Sequence, residues 1–167
     1  MFNNILVPLD GSELAECAIN YAQDLAKRSD AGKIALVSVT EKVTGLTHDS
    51  ESLERFDASG DAGLAQTDRG VIVTVGKMEK QAQSYLERVA EKLSSEGISV
   101  AVEVLIGNPA EQIAKYVEEN DFDVVVMSSH GRSGPSRWAH GSVADKVFRT
   151  VCIPILMIRA PGCSSGV

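Results

Sequence analysis

Short apolar runs alternate along the chain with stretches whose apolar residues recur every three or four positions. Ile5-Leu6-Val7 ends in Pro8-Leu9-Asp10-Gly11-Ser12, which predicts a buried strand and a tight turn. Leu14, Ala18, Tyr21, Ala22, Leu25 and Ala26 follow at helical spacing, with Ser12 placed to cap the helix and Lys27-Arg28 suited to its negative end. Residues 34–39 predict a second strand. Met78, Ala82, Tyr85, Leu86, Val89, Ala90 and Leu93 mark the clearest helical face, closed by Glu96-Gly97. Residues 98–106 alternate in part and predict a third strand. Gly107-Asn108-Pro109 then turns into a helix, with Asn108 as N-cap, Pro109 at the first helical position and Glu111 completing a capping-box pattern. Val124-Val125-Val126-Met127 is a fully apolar fourth strand. Val143, Val147, Phe148 and Val151 face one side of a last helix, and residues 155–158 form the closing strand.

Between the second strand and the second helix the pattern stops. Residues 41–70 are rich in Asp, Ser, Thr and Gly, and predict a long surface excursion with a short helical turn around Leu53 and Phe56. Residues 70–75 read either as an extra edge strand or as an extended entry into the helix. Strand and helix thus alternate four times before a closing strand. That order predicts one α/β domain over residues 1–160: an open five-stranded parallel sheet with helices on both faces, a long loop at about 41–76, and a flexible tail at 161–167.

Composition narrows the function classes. The 167 residues carry 44% hydrophobic and 23% charged side chains, as one globular domain does. The net charge of −7 and the scattered Lys and Arg argue against nucleic acid as partner. An anionic ligand stays open, because backbone N–H groups hold phosphate without a basic surface. Cys17, Cys152 and Cys163 show no metal-ligand or CxxC spacing; the first two read as buried thiols and the third as exposed, in a reducing compartment. The N-terminus has no leader pattern, and no apolar run approaches a membrane span, so no membrane and a cytoplasmic location are expected.

Two strand ends carry unusual residues. In open parallel sheets ligands bind beyond the carboxyl ends of strands, where the strand order reverses. If the first and fourth strands are neighbours there, Pro8-Leu9-Asp10 and Met127-Ser128-Ser129-His130-Gly131 face one crevice. The second loop offers glycines for close approach, hydroxyls, Arg132, and a helix opened by Gly141-Ser142 whose first N–H groups can hold an anion. Asp10 has two readings, as acceptor for a ribose hydroxyl or adenine amino group and as an Asx turn residue. GxxxxGK[ST] and GxGxxG are both absent, so neither a P-loop nor an NAD-type site is supported.

Residues 5–12, Ile-Leu-Val-Pro-Leu-Asp-Gly-Ser, resemble the opening of universal stress proteins. Ser128-Ser129-His130-Gly131, nine residues, then Gly141-Ser142 resembles that family's nucleotide motif G-x2-G-x9-G-[S/T], with Ser128 in place of the first glycine. Gly107-Asn108-Pro109-Ala110, residues 143–147 and residues 153–158 resemble further family segments. The resemblance implies a Rossmann-like three-layer sandwich of the adenine nucleotide alpha-hydrolase type, in the ATP-binding branch. It implies ATP, AMP or cyclic AMP as ligand, with Mg²⁺ bridging the phosphates but no side-chain cluster committed to the metal. Asp10, with the backbone of Pro8 and Leu9, would take the adenine and ribose side, and Val39 would pack on adenine. Met127 and Ser128 would line the ribose and α-phosphate. Gly131, Arg132, Gly141, Ser142 and Val143 would hold the phosphates, and His130 lies within the motif without an assigned role. A homodimer through Ile155, Leu156, Met157 and Ile158 is also implied, and those residues read as an apolar edge strand that needs a cover.

Three functions follow. The first is a nucleotide-binding regulatory module of stress response with an unknown protein partner. The second is a slow ATP hydrolase using Arg132 and His130; against it stands the lack of a general base beside a nucleophile. The third is an interaction protein of the same fold that has lost the ligand, with Ser128 as the mark of the loss.

Overall fold

The computed structural model describes residues 2–29, 32–40, 44–45, 65–66, 72–73, 76–129 and 141–159. β1 (Asn4–Pro8), α1 (Glu13–Lys27) and β2 (Lys33–Thr40) come first. Three two-residue strands follow, β3 (Thr44–Gly45), β4 (Ala65–Gln66) and β5 (Ile72–Val73). The remainder is α2 (Gly76–Ser95), β6 (Ser99–Ile106), α3 (Pro109–Glu119), β7 (Val124–Ser128), α4 (Ser142–Thr150) and β8 (Ile155–Ile158).

β6-β2-β1-β7-β8 form a five-stranded sheet, parallel at every pairing. The chain winds outward from β1 through β2 to β6, then returns to pair β7 on the other side of β1. β1 and β7 flank the point where the winding reverses.

Pleating divides each central strand between two cores. Ile5, Val7, Leu36, Val124 and Val126 pack toward α1 and α2, whose inner faces are Ala18, Ala22, Leu86 and Leu93. Leu6, Val37, Val125 and Met127 pack on the opposite face against Ile113 and Val117 of α3 and Ala144 and Val147 of α4. The layers are therefore helices, sheet, helices.

Several expectations need correcting. The buried stripe of α1 is Ala15, Ala18, Ala22 and Ala26. Leu14 and Leu25 are partly buried at its margins and Tyr21 is 52% exposed. Four alanines at helical spacing let the helix lie close to the sheet and leave larger side chains no room beneath it. Met78 likewise stands at 40% exposure rather than in the core. Cys17 is partly buried, but Cys152 is exposed. After α4 the chain runs extended, with Val151, Ile153 and Ile155 turned inward, so Cys152 between them faces out. Cys163 and the turn expected around Leu53 and Phe56 lie outside the described residues.

Of residues 70–75, those described are 72–73, and they join neither the main sheet nor the helix. Ile72–Val73 is the middle strand of a separate antiparallel sheet, β3-β5-β4. Among the described residues no helix is long and apolar enough to cross a membrane.

Candidate functional site

β1 and β7 are neighbours, with Ile5 opposite Val124 and Leu6 opposite Val125. Their carboxyl ends, with that of β2, form the floor of one cleft of about 620 Å³. That volume lies within the range of small-molecule sites, roughly 300–1,000 Å³.

On the β1 side, the Leu9 N–H donates to the Val37 carbonyl at 2.7 Å and ties the strand end to β2. Asp10 Oδ1 accepts from the Ser12 N–H at 3.0 Å and from the Ser12 hydroxyl at 2.6 Å. Ser12 Oγ in turn accepts from the Ala15 N–H at 3.2 Å and caps α1. Asp10 builds an Asx turn and also lines the cleft.

On the β7 side, the Ser129 N–H donates to the Ile158 carbonyl at 2.8 Å, and the Gly141 N–H donates to the Ser129 carbonyl at 2.7 Å. The chain therefore leaves and re-enters the site at one point, which sets the start of α4 against the end of β7. The N-termini of α1 and α3 are capped by the side chains of Ser12 and Asn108. Gly141 begins α4 and supplies no side-chain cap. The first N–H groups of α4 thus receive no acceptor from the N-cap side chain, and an anion at the cleft wall would suit them. Gly141 has φ −52° and ψ 145°, angles open to any residue, so the missing side chain gives space rather than backbone freedom.

Nine residues expected at the site line this cleft. Pro8, Leu9, Asp10 and Val39 stand on the β1–β2 side, Met127 and Ser128 at the end of β7, and Gly141, Ser142 and Val143 at the start of α4. His130, Gly131 and Arg132 lie outside the described residues.

Sequence reasoning missed two groups. The first is Ser38 and Thr40, which with the expected Ser128 and with Ser129 of the same loop are the buried polar side chains among the described residues, and all four line the cleft. Ser38 and Thr40 interrupt an otherwise apolar strand, and that interruption was the available signal. The second group is the α2 wall of Met78, Gln81, Ala82 and Tyr85. Its helical face announces a core contact, and nothing local says that the contact flanks β2 at the site. The Tyr85 hydroxyl donates to Glu16 Oε1 at 2.9 Å. Burial, that hydrogen bond and the charges of Glu16 and Asp10 hold the phenol far above its ordinary pKa, so it stays a donor. Among the described residues no three His, Cys, Asp or Glu side chains cluster as a metal site would require.

The universal stress protein family model matches residues 1–159, and the chain belongs to that family. It is 26% identical over 161 residues to the universal stress protein MJ0531 of Methanocaldococcus jannaschii, covering 96% of this chain and 84% of the relative. To MJ0577 of the same organism it is 28% identical over 160 residues, covering 95% and 96%. The solved structure of MJ0577 superposes with a TM-score of 0.72 at 24% identity, over 95% of this chain and 96% of the other. A universal stress protein in complex with cAMP gives a TM-score of 0.63 at 15% identity, over 95% and 97%. The Arabidopsis thaliana family protein At3g01520 with AMP bound gives 0.58 at 12%, over 97% and 94%.

Proposed function

We propose that this chain binds an adenine nucleotide, ATP by preference, in the cleft between β1 and β7, and acts as a regulatory module in stress response rather than as a metabolic enzyme. One observation carries the reading. All four buried polar side chains among the described residues gather at this cleft, beside a helix N-terminus that has no side-chain cap. Open N–H groups at a helix start favour an anion, and hydroxyls gathered beside them give a mostly apolar cleft a polar wall for a ligand. Family proteins solved with cAMP and with AMP on the same fold support an adenine nucleotide as that partner.

The phosphates would lie at α4, taken by the N–H groups of Ser142 and Val143 and by the Ser142 hydroxyl, with Gly131 and Arg132 completing the cradle. Asp10 would accept from the ribose hydroxyls. Val39 and Met127 would flank the ring and sugar. Ser128 adds one small side chain where the family motif has glycine, and it is already folded into the cleft wall at 7% exposure. Mg²⁺, where present, would be held by the phosphates, because the described residues offer it no acidic cluster. The protein acts in two copies, paired through the free edge of β8.

Mass spectrometry of small molecules released from the purified protein, with calorimetric titration of ATP, AMP and cyclic AMP into stripped protein, tests this. The expected result is saturable binding that Gly141→Val abolishes, since valine fills the space at α4 while fitting the backbone angles. No released nucleotide and no heat at millimolar ligand would sink the reading and leave an interaction protein that has lost its ligand.

A further inference from the structure

Three of the four buried hydroxyls are engaged within the protein. Ser128 and Ser129 have interactions of their own, and Thr40 Oγ1 donates to the Leu105 carbonyl at 3.4 Å. Ser38 is different. It is 7% exposed and lines the cleft, and its hydroxyl has no hydrogen-bond partner among the described residues. No fully enclosed side-chain N or O among those residues lacks a partner. The Ser38 hydroxyl is therefore not sealed in the core but opens onto the cleft.

Pleating fixes which side it serves. Val37 and Val39 belong to the core under α3 and α4, and Leu36 to the core under α1 and α2. Ser38 shares the Leu36 face. The cleft wall there is α2, with Met78, Ala82 and the Tyr85 ring as apolar surface and Gln81 as the polar group. The hydrogen bond to Glu16 fixes the Tyr85 ring. The nearby carboxylates of Glu16 and Asp10 disfavour phosphate on this side. β2 lies two strand positions from β7, roughly 10 Å at the usual spacing. A nucleotide whose phosphates sit at α4 spans that distance to place its base here.

Resting on the nucleotide reading, we propose that Ser38 and Gln81 are specificity-determining residues that read the polar edge of the purine ring, while Met78, Ala82 and Tyr85 cover its faces. A hydroxyl and a carboxamide each donate and accept. That suits the amino group and adjacent ring nitrogen of adenine, a pattern glutamine matches with two hydrogen bonds. On the same edge guanine presents two acceptors, its 6-oxo group and ring nitrogen, and leaves the carboxamide oxygen without a donor.

The test is a titration of ATP, GTP and inorganic tripolyphosphate into wild type and the Ser38→Ala/Gln81→Met double variant. Ser38→Ala removes one oxygen from a packed strand, and Gln81→Met keeps the length of an exposed side chain. The wild type should prefer ATP to GTP. The variant should lose about tenfold of that preference, the ordinary weight of a pair of hydrogen bonds, and bind tripolyphosphate as before. An unchanged ATP-to-GTP ratio overturns the assignment. So does an equal fall for all three ligands, which would mean that the cleft as a whole had been disturbed. A wild type that binds none of the three brings down the nucleotide reading itself, and that failure is recognised because it needs no variant.

Discussion

Gly11 sits at φ 80°, where a side chain strains the backbone, and it lets the chain swing Asp10 back onto Ser12 within one turn. This was legible as Asp-Gly-Ser after an apolar run. Asp123 was not, because its partners are distant in sequence. Its Oδ2 accepts from the N–H groups of Asn3 at 2.7 Å and Asn4 at 2.8 Å, holding the start of β1 beside β7. The backbone hydrogen bonds from Asn4 and Asn3 hold this carboxyl below its ordinary pKa of 3.8. A carboxylate with a depressed folded pKa adds stability above its unfolded pKa and loses it as pH falls through the folded value. Asp123→Asn should therefore lower the urea midpoint at neutral pH and make no difference once the pH is well below 3.8. Denaturation at both pH values checks this, and an equal loss at both would show that charge is not involved.

At the scale of elements, the sheet has two free edges with different chemistry. β6 carries Glu103 in mid-strand and leaves Ser99 and Ala101 exposed beside it. A charge in the middle of an edge strand discourages pairing with another chain. β8 has no charge, and Leu156 stands 37% exposed on it. That contrast favours β8 over β6 for the proposed two-copy interface. The Ile158 and Pro154 carbonyls accept from β7, so alternation turns the N–H groups of Ile155 and Met157 to the free edge. Met157→Pro would remove one outward donor without breaking the ladder to β7. Sedimentation should find the wild type at twice the chain mass and the variant at one; a folded variant still at twice the mass places the interface elsewhere. Strands were legible here as apolar runs and helices by their period. The small sheet β3-β5-β4 was not, because two-residue strands are too short to carry a period.

Across the whole molecule, the candidate site was legible where it is built from loops and missed where it is built from the end of β2 and from a helix face. Pro8-Leu9-Asp10-Gly11-Ser12 at the end of β1 and Gly141-Ser142 at the start of α4 are turn-forming and polar punctuation that stands out from the apolar runs around it. The α2 wall is amphipathic like any helix, and only its packing against β2 makes Tyr85 and Gln81 part of the cleft. The net charge bears on the same site in a different way. A chain of −7 repels a polyphosphate at long range, so affinity must come from hydrogen bonds made at contact. Salt near physiological strength screens beyond about 8 Å and leaves such contacts intact. Binding should therefore hold or strengthen as salt rises, opposite to a basic nucleic-acid-binding surface. At a ligand concentration of a hundred times Kd, ATP should add about 2.7 kcal/mol of stability. For a chain of this length that raises Tm by roughly 5–10 °C. Thermal melts with and without ATP at low and physiological salt measure both effects. A shift that vanishes on adding salt would mean the ligand is held by diffuse charge on the surface rather than by the N–H groups of α4.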